Sequence, residues 1–208
     1  MKFSLPKIYP ITDVSLSKLS HLEQVEKLIE GGAEFIQLRE KYASSKDFYE
    51  AAKEVLEFAR PRKIKIIIND RVDIALAVKA DGIHLGQDDL PPQLARKILG
   101  EKAIIGFSTH SVAQAIEAVK LPIDYVAIGA VFQTFSKEKP EAILGTEGLR
   151  KVREAIGNFP LVVIGGINFE NSQSVFQNGA DSVALIRAIL NPPNLITENT
   201  KKFNALYC

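Results

Sequence analysis

Short apolar runs alternate along the chain with longer segments in which apolar residues recur every three or four positions. The short runs are rich in Ile and Val and are bounded by Gly, Pro, Asp or Asn, which is typical of strands. They cover residues 7–11, 35–38, 65–68, 82–85, 103–106, 125–128, 161–164 and 182–185. The clearest helical patterns lie between them, at residues 19–30, 46–59, 111–119 and 146–156. This alternation predicts parallel strands joined by right-handed helical crossovers.

An acidic residue recurs just before every second predicted strand. Glu34, Asp81, Asp124 and Asp181 are separated by 47, 43 and 57 residues, and each interval fits two strand–helix units of about 25 residues. A simpler interpretation of each acid is a helix end followed by a strand start. The spacing nevertheless favours eight units, and so a compact (β/α)8 TIM barrel that forms a single domain over residues 1–208. A short C-terminal helix is expected after Asn191. The alternative is a doubly wound sheet, but no GxGxxG motif follows the first strand.

Composition excludes several classes of protein. With 26 Lys and Arg against 25 Asp and Glu, the net charge of +1 offers no broad basic surface for nucleic acid or for an anionic membrane. No apolar run approaches the roughly 20 residues that span a bilayer, and we expect no signal peptide. The single cysteine, Cys208, excludes an intramolecular disulfide and a cysteine-rich metal site. We therefore expect a cytoplasmic protein without nucleic-acid or membrane partners; a homo-oligomer stays open.

Polar residues follow the second predicted strand, where a barrel places its functional groups. Gln37, Arg39 and Lys41 alternate along the chain and so share one face, directed into the barrel mouth. Two cations there predict an anion site, because Arg provides a planar fork for phosphate oxygens and Lys a point charge. The alternative is an internal salt bridge with Glu40 or another carboxylate.

Carboxylates follow the third and fourth predicted strands. Asn69 and Asp70 end one strand, and Asp88 and Asp89 come shortly after the next. Acids at neighbouring strand ends suit Mg²⁺, which binds a few carboxylates together with water and substrate phosphates. Spacing alone does not choose between Asp88 and Asp89. The alternative is helix capping, since both acidic segments directly precede predicted helices.

Four further residues follow or lie within the central strands. Ser108 or Thr109 either caps the next helix or contacts a phosphate. His84 lies inside the fourth predicted strand, where a lone histidine is more typical of a satisfied core residue than of a catalyst. His110 has no visible nucleophile partner.

Residues in the longest loop and at the ends of the seventh and eighth predicted strands predict a second anion site. The loop from Gly129 to Thr146 carries Thr134, Ser136 and Lys137, and the alternative for it is a solvated surface loop. Gly165 and Gly166 end the seventh predicted strand, and Ile186 and Arg187 end the eighth; loops after these strands often bind phosphate in barrels. The residues therefore predict two anion sites around one barrel mouth, with a metal site at the acids between them. None of the candidate residues stands out as a general base. This arrangement favours departure of a diphosphate leaving group.

Taken together, these motifs resemble the thiamine-phosphate synthase family over about residues 8–190. The residues that carry the resemblance are Gln37-Leu38-Arg39-Glu40-Lys41, Asn69-Asp70-Arg71, Asp81-Gly82-Ile83-His84-Leu85-Gly86-Gln87-Asp88-Asp89, Ser108-Thr109-His110, the loop at 132–137 and Gly165-Gly166-Ile167. The resemblance implies a transferase that couples 4-amino-5-hydroxymethyl-2-methylpyrimidine diphosphate to a (carboxy)thiazole phosphate. Thiamine phosphate and diphosphate are the implied products, with CO2 from the carboxylated thiazole. Diphosphate is implied to leave first, before the thiazole nitrogen attacks a pyrimidine cation.

The resemblance also implies roles for individual residues. The pyrimidine diphosphate would be held by Gln37, Arg39, Lys41, Asn69, Ser108 and Lys137, of which Arg39, Lys41, Ser108 and Lys137 are the catalytic candidates. The thiazole phosphate site would be lined by Thr134, Ser136, Gly166, Ile186 and Arg187. Asp70 and Asp89 would carry the Mg²⁺ cofactor.

The sequence departs from the family pattern at two places. The loop has Ser136 where the family usually has a second Thr, and Arg187 stands where the family usually has Ser. The nearest alternative is thiazole tautomerase, a related barrel that has no use for the paired acids of this chain. The other alternative is a non-catalytic thiazole-phosphate binding protein, which has no use for Arg39, Asp70 or Lys137.

Overall fold

The strands begin and end close to the predicted boundaries. The computed structural model describes residues 4–134 and 143–207. Its strands are β1 (Ile8–Pro10), β2 (Phe35–Leu38), β3 (Lys65–Asn69), β4 (Gly82–Leu85), β5 (Ile104–Thr109), β6 (Tyr125–Ile128), β7 (Leu161–Val163) and β8 (Ser182–Leu185). The largest difference is in β5, which continues to Thr109 and so places Ser108 and Thr109 inside the strand.

All eight strands are parallel and form one sheet in the order β1-β8-β7-β6-β5-β4-β3-β2. A parallel bridge between Ile11 and Gln37 brings the first and last strands of this order together. The N–H of Thr12 donates to the carbonyl of Gln37 at 2.9 Å. The sheet is therefore a nearly closed barrel, and the predicted (β/α)8 fold is confirmed.

Helices surround this barrel. In the described residues they are α1 (Val14–Ser17), α2 (His21–Glu30), α3 (Ser45–Ala59), α4 (Val72–Val78), α5 (Pro92–Leu99), α6 (Val112–Ala118), α7 (Gly145–Ile156), α8 (Ser172–Gln177), α9 (Arg187–Leu190) and α10 (Ile196–Tyr207). The expected C-terminal helix is α10, and its 12 residues make it longer than predicted. It is held by the fully buried Phe203, whose ring stacks on Phe169 with centroids 4.0 Å apart. None of the helices that the structure describes is long and apolar enough to cross a membrane.

Alternating strand residues divide the apolar core into two regions. Outward-facing residues such as Ile36, Ile68 and Ile83 are fully buried between the sheet and the helices. Inward-facing residues fill the barrel, and the largest of them are two tyrosines and a phenylalanine. The rings of Tyr9 and Phe35 lie 4.5 Å apart, and that of Tyr125 meets Tyr9 edge-on at 6.0 Å. The barrel interior is therefore a packed core below the mouth.

The recurring acids close the amino-terminal end of the barrel. Three of them accept a hydrogen bond from the N–H of a preceding strand and pair with a cation. The bonds are Asp81 to Ile66 N at 3.0 Å, Asp124 to Ile105 N at 2.8 Å and Asp181 to Leu161 N at 2.8 Å, and the cations are Lys65, Arg96 and Arg153. Glu34 differs: its side chain is exposed and its backbone carbonyl accepts from Lys65 N. Asp81, Asp124 and Asp181 thus join neighbouring strands in pairs at their starts: β3 with β4, β5 with β6 and β7 with β8.

Candidate active site

A cavity of about 380 Å³ opens at the carboxyl ends of the strands. Every strand contributes at least one side chain to its wall: Tyr9, Gln37, Asn69, His84, Ser108, Ala127, Val162 and Ala184. Loop residues complete the rim. The cavity therefore lies where a (β/α)8 barrel binds its substrates.

The cavity wall includes most of the residues predicted from the sequence for binding. Gln37, Arg39, Asn69, Ser108, Thr134, Gly166, Ile186 and Arg187 all line it. Lys41, Asp70 and Asp89 form a separate cluster, in which Asp70 directly follows Asn69 along the chain. Ser136 and Lys137 lie outside the described residues, so their predicted roles stay predictions.

Arg39 is held at the cavity wall by a carboxylate. Its guanidinium lies 3.2 Å from Asp13, and its backbone N–H donates to the hydroxyl of Thr12 at 3.2 Å. The internal salt bridge considered above is thus present, although its partner is Asp13 and not Glu40. One guanidinium nitrogen makes this pair, which leaves other N–H groups of the fork for an anion.

Glu40 instead anchors the loop that follows Arg39. It accepts from the backbone N–H groups of Tyr42 at 2.8 Å and Ala43 at 3.2 Å, and it lies 3.4 Å from His21 Nε2. Burial opposes ionisation of Glu40, but these hydrogen bonds and His21 bring its pKa below the ordinary value. Burial also lowers the pKa of His21, despite the nearby carboxylate. The contacts of Glu40 therefore hold in place the segment that carries Arg39 and Lys41.

Two carboxylates and a lysine form the cluster beside the cavity. The ammonium of Lys41 bonds to Asp70, and Asp89 accepts from the N–H of Gly86 at 2.6 Å. Burial raises the pKa of Asp89, and the hydrogen bond and negative charge of Asp70 raise it further. The two acids therefore face each other, while Asp88 is exposed.

The helix-capping alternatives for these polar residues are wrong. The residues at the starts of α4 and α5 are Arg71 and Pro91, and neither start has a side-chain cap. Helix α6 is capped by Ser111, whose hydroxyl accepts from Gln114 N. Ser108 and Thr109 belong to β5, and Thr109 donates to the carbonyl of Ala127 at 3.0 Å. Asp70, Asp89 and Ser108 are thus not explained by the helices that follow them.

Asn69 presents an unsatisfied donor to the cavity. Its side chain is 6% exposed, and its Nδ2 has no hydrogen-bond partner among the described residues. A buried amide without a partner costs free energy, on the order of 1–3 kcal/mol. The position therefore favours a ligand with an acceptor atom, such as a phosphate oxygen.

His84 connects the cavity wall with the barrel core. Its Nε2 lies 2.8 Å from Ser108 Oγ, and its Nδ1 lies 3.0 Å from the hydroxyl of Tyr125. The prediction that this histidine is satisfied in the core is correct, and it also lines the cavity. Tyr9 and Tyr125 were missed from the sequence because an aromatic residue in a strand is typical of a core. Their contacts with Gln37 and His84 depend on strand register, which the sequence alone does not give.

The opposite wall is shaped by glycines. Gly165 and Gly166 have φ of +107° and +64°, in the left-handed region that favours glycine. A Cβ at Gly166 would lie 2.4 Å from the carbonyl oxygen of Gln133. Arg187 begins α9 beside this turn; its side chain is exposed, and no ion pair within the described ranges engages it. This wall combines the backbone of two glycines with the exposed cation of Arg187, which suits a second anion.

Comparison with known proteins identifies the family. The family model described as thiamine monophosphate synthase matches residues 8–189. A thiamine-phosphate synthase of Clostridium novyi (strain NT) is 49% identical over 88% of this chain and 90% of its own length. One of Chloroflexus aurantiacus is 40% identical over 96% of this chain and 92% of its own.

A solved structure agrees with these matches. The thiamine phosphate pyrophosphorylase from Pyrococcus furiosus superposes with a TM-score of 0.87 at 38% identity, over 96% of this chain and 94% of that one. The resemblance seen in the motifs is therefore confirmed. The chain belongs to the thiamine monophosphate synthase family and is a transferase of thiamine biosynthesis.

Proposed function

We propose that the enzyme couples 4-amino-5-hydroxymethyl-2-methylpyrimidine diphosphate to a (carboxy)thiazole phosphate, releasing thiamine phosphate and diphosphate. The observation that carries this proposal is the facing pair Asp70 and Asp89, placed beside the unsatisfied amide of Asn69. A tautomerase without diphosphate chemistry gives no reason for two acids held this close, since their repulsion costs free energy.

The diphosphate is assigned to the side of the cavity that carries the cations. Arg39 and Asn69 line the cavity on that side with N–H donors. Lys41 lies with Asp70 and Asp89 in the neighbouring cluster. Lys137 is proposed as a further cation, on the resemblance alone. Donors fixed in this way gain strength as negative charge develops on the leaving diphosphate.

Asp70 and Asp89 fit a Mg²⁺ ion. Although the described residues contain no group of three or more acidic, histidine or cysteine ligands, Mg²⁺ typically uses one or two carboxylates with water and phosphate oxygens. Burial and the adjacent charge of Asp70 both raise the pKa of Asp89, and a bound cation would favour the ionised form against both. When bound, Mg²⁺ would neutralise charge on the diphosphate and make it a better leaving group.

The thiazole phosphate is assigned to the glycine wall. Gly166 and Ile186 form its surface, Arg187 supplies a cation, and Thr134 and Ser136 are proposed to contribute hydroxyls. Between the two anion sites the wall is apolar, with Ala127, Val162 and Ala184. An apolar floor keeps water from the pyrimidine cation until the thiazole nitrogen reaches it.

A product assay tests this proposal. The protein is incubated with both substrates, with and without Mg²⁺, and thiamine phosphate is measured after oxidation to its fluorescent product. We expect Mg²⁺-dependent product that is nearly lost in Asp89→Asn but retained in Asp88→Asn, a neighbouring exposed acid that serves as the matched control. Absence of product from wild-type protein that binds both ligands would contradict the proposal and make the tautomerase assay the next step.

Separate binding measurements test the two anion sites. By calorimetry, Arg39→Ala should lose affinity for the pyrimidine diphosphate and keep its affinity for the thiazole phosphate. Equal losses for both ligands would argue against two distinct sites.

A further inference from the structure

Five polar side chains form a continuous hydrogen-bonded path across the inside of the barrel. Gln37 Nε2 lies 2.9 Å from the hydroxyl of Tyr9, which lies 2.9 Å from that of Tyr125. Tyr125 continues to His84 Nδ1 at 3.0 Å, and His84 Nε2 continues to Ser108 Oγ at 2.8 Å. The path begins and ends at residues that line the cavity, and it passes beneath the cavity floor through Tyr125.

The strand register shows why Tyr125 reaches His84. Both residues are in register with Gly106, which lies on the strand between them. A Cβ at position 106 would lie 2.0 Å from Cζ of Tyr125. Any other residue here would therefore force the tyrosine ring away. Glycine at position 106 allows the ring to cross β5 and stack on the imidazole, with centroids 5.6 Å apart.

Counting hydrogens gives the path a direction. The amide of Gln37 donates to Tyr9, so the hydrogen of Tyr9 is left to donate to Tyr125. We assign the hydrogen of Tyr125 to the bond with His84, whose Nδ1 then accepts it. In this order a neutral His84 carries its proton on Nε2, from which it donates to Ser108.

Burial of both phenols preserves this order. Desolvation raises the pKa of Tyr9 and of Tyr125 far above the ordinary value, so each keeps its proton at any physiological pH. With its oxygen already accepting from His84, the Ser108 hydroxyl has its hydrogen left to direct into the cavity.

We propose that Tyr125 is a positioning residue that fixes the tautomer of His84 and thereby makes Ser108 a hydrogen-bond donor to the first substrate. Tyr125 is fully buried and acts only through its neighbours in the path. The atom that Ser108 meets must then be an acceptor, such as a ring nitrogen or a phosphate oxygen. The kinetic part of this inference rests on the proposed function, whereas the tautomer assignment does not.

Nitrogen NMR of histidine-labelled protein tests the tautomer directly. The chain has three histidines, and His84→Gln assigns the signals of the one concerned. We expect a neutral His84 protonated on Nε2 in the wild type. In Tyr125→Phe its nitrogen shifts should change. Tyr207→Phe is the matched control, since it removes a hydroxyl bonded to Ser172 outside the path. A wild-type His84 protonated on Nδ1 would overturn the proposal, and so would an unchanged His84 spectrum in Tyr125→Phe.

A double-mutant cycle tests the catalytic consequence. Tyr125→Phe should lower kcat about five- to tenfold with little change in either KM, the size expected for losing one oriented hydrogen bond. In a Ser108→Ala background the same change should have almost no further effect, because Tyr125 acts through Ser108. Additive losses would overturn the proposal. If wild-type protein forms no thiamine phosphate, the proposed function fails, while the NMR measurement still decides the tautomer.

Discussion

Acidic side chains and cations occur at both ends of the barrel, but the two ends arrange them differently. At the amino-terminal end, the Asp124 carboxylate accepts from a strand N–H and from the guanidinium of Arg96, both at 2.8 Å. At the carboxyl end, Asp70 and Asp89 face each other, and Lys41 is their nearby cation. The buried amide of Asn69 beside them lacks a partner among the described residues.

The difference separates residues that hold the barrel together from residues kept for a ligand. A carboxylate that accepts from two donors, one of them a cation, stabilises the fold, whereas facing carboxylates and an amide without a partner destabilise it until a ligand binds. Substitutions at the two ends should therefore move stability and activity in different directions, and this can be measured.

The largest effect is expected for Asp70→Asn. Removing one of the two facing carboxylates should lower the rate of thiamine phosphate formation by about a hundredfold or more, because the proposed Mg²⁺ loses a charged ligand. Stability should stay the same or rise, since the repulsion with Asp89 is relieved. Steady-state kinetics over a range of Mg²⁺ concentrations, with thermal melting alongside, measures both. Near-wild-type activity at limiting Mg²⁺ would contradict the metal assignment.

The next effect is on stability and belongs to the other end. Asp124→Asn should lower the free energy of unfolding by about 1.5–3 kcal/mol, because the N–H of Ile105 and the Arg96 guanidinium lose a charged acceptor. The kcat of the folded protein should not change. Urea denaturation measures the loss, and Glu117→Gln is the control, since its exposed pair with Lys120 is expected to contribute under about 1 kcal/mol. Lost activity in folded Asp124→Asn would contradict the view that the amino-terminal end stabilises the fold and only the carboxyl end serves the ligands.

Arg187→Ser should have a smaller effect, confined to one substrate. The side chain is exposed at the glycine wall, so its removal should leave stability unchanged. We expect the KM for the thiazole phosphate to rise about three- to tenfold, with the KM for the pyrimidine diphosphate unaffected, because one charge contact is lost. An unchanged or lower KM for the thiazole phosphate would mean that Arg187 crowds this site and does not bind the phosphate.

The fold was predictable because its signals are local. Short apolar runs indicate the strands, and apolar residues spaced three or four apart indicate the helices. The recurring acids Asp81, Asp124 and Asp181 mark every second strand. Their shared role, joining the starts of neighbouring strands, was not predictable, since it depends on which strands are neighbours in space.

The site was predictable only where its residues stand at strand ends. Gln37, Arg39, Asn69 and Ser108 follow this rule and do line the cavity. The path through Tyr125 was not predictable, because the register that aligns His84, Gly106 and Tyr125 is a property of three strands at once. Asp13 as the partner of Arg39 was missed for the same reason: the pair joins two segments 26 positions apart.

The smallest effect concerns His21, a fully enclosed group at the end of the barrel that carries the cavity. Its ring lies between the hydroxyl of Thr12, at 2.8 Å, and the carboxylate of Glu40. Burial lowers its pKa, so the unfolded chain takes up a proton at a higher pH than the folded protein does. Stability should therefore fall as pH drops below about 6.5, by up to about 1.4 kcal/mol per pH unit, until the lowered pKa is reached. Glu40 does not offset this loss, because its own lowered pKa keeps it ionised through the same window.

His21→Gln removes this pH dependence while keeping a side chain able to hydrogen bond. In urea denaturation, the variant should be less stable than wild type at pH 7, and the difference should shrink at pH 5. A difference that stays constant or grows on acidification would mean that the ring is charged in the folded protein and paired with Glu40. The loop beneath Arg39 would then be held by an ion pair, like the strand starts at the opposite end, and the contrast between the two ends would be limited to Asn69, Asp70 and Asp89.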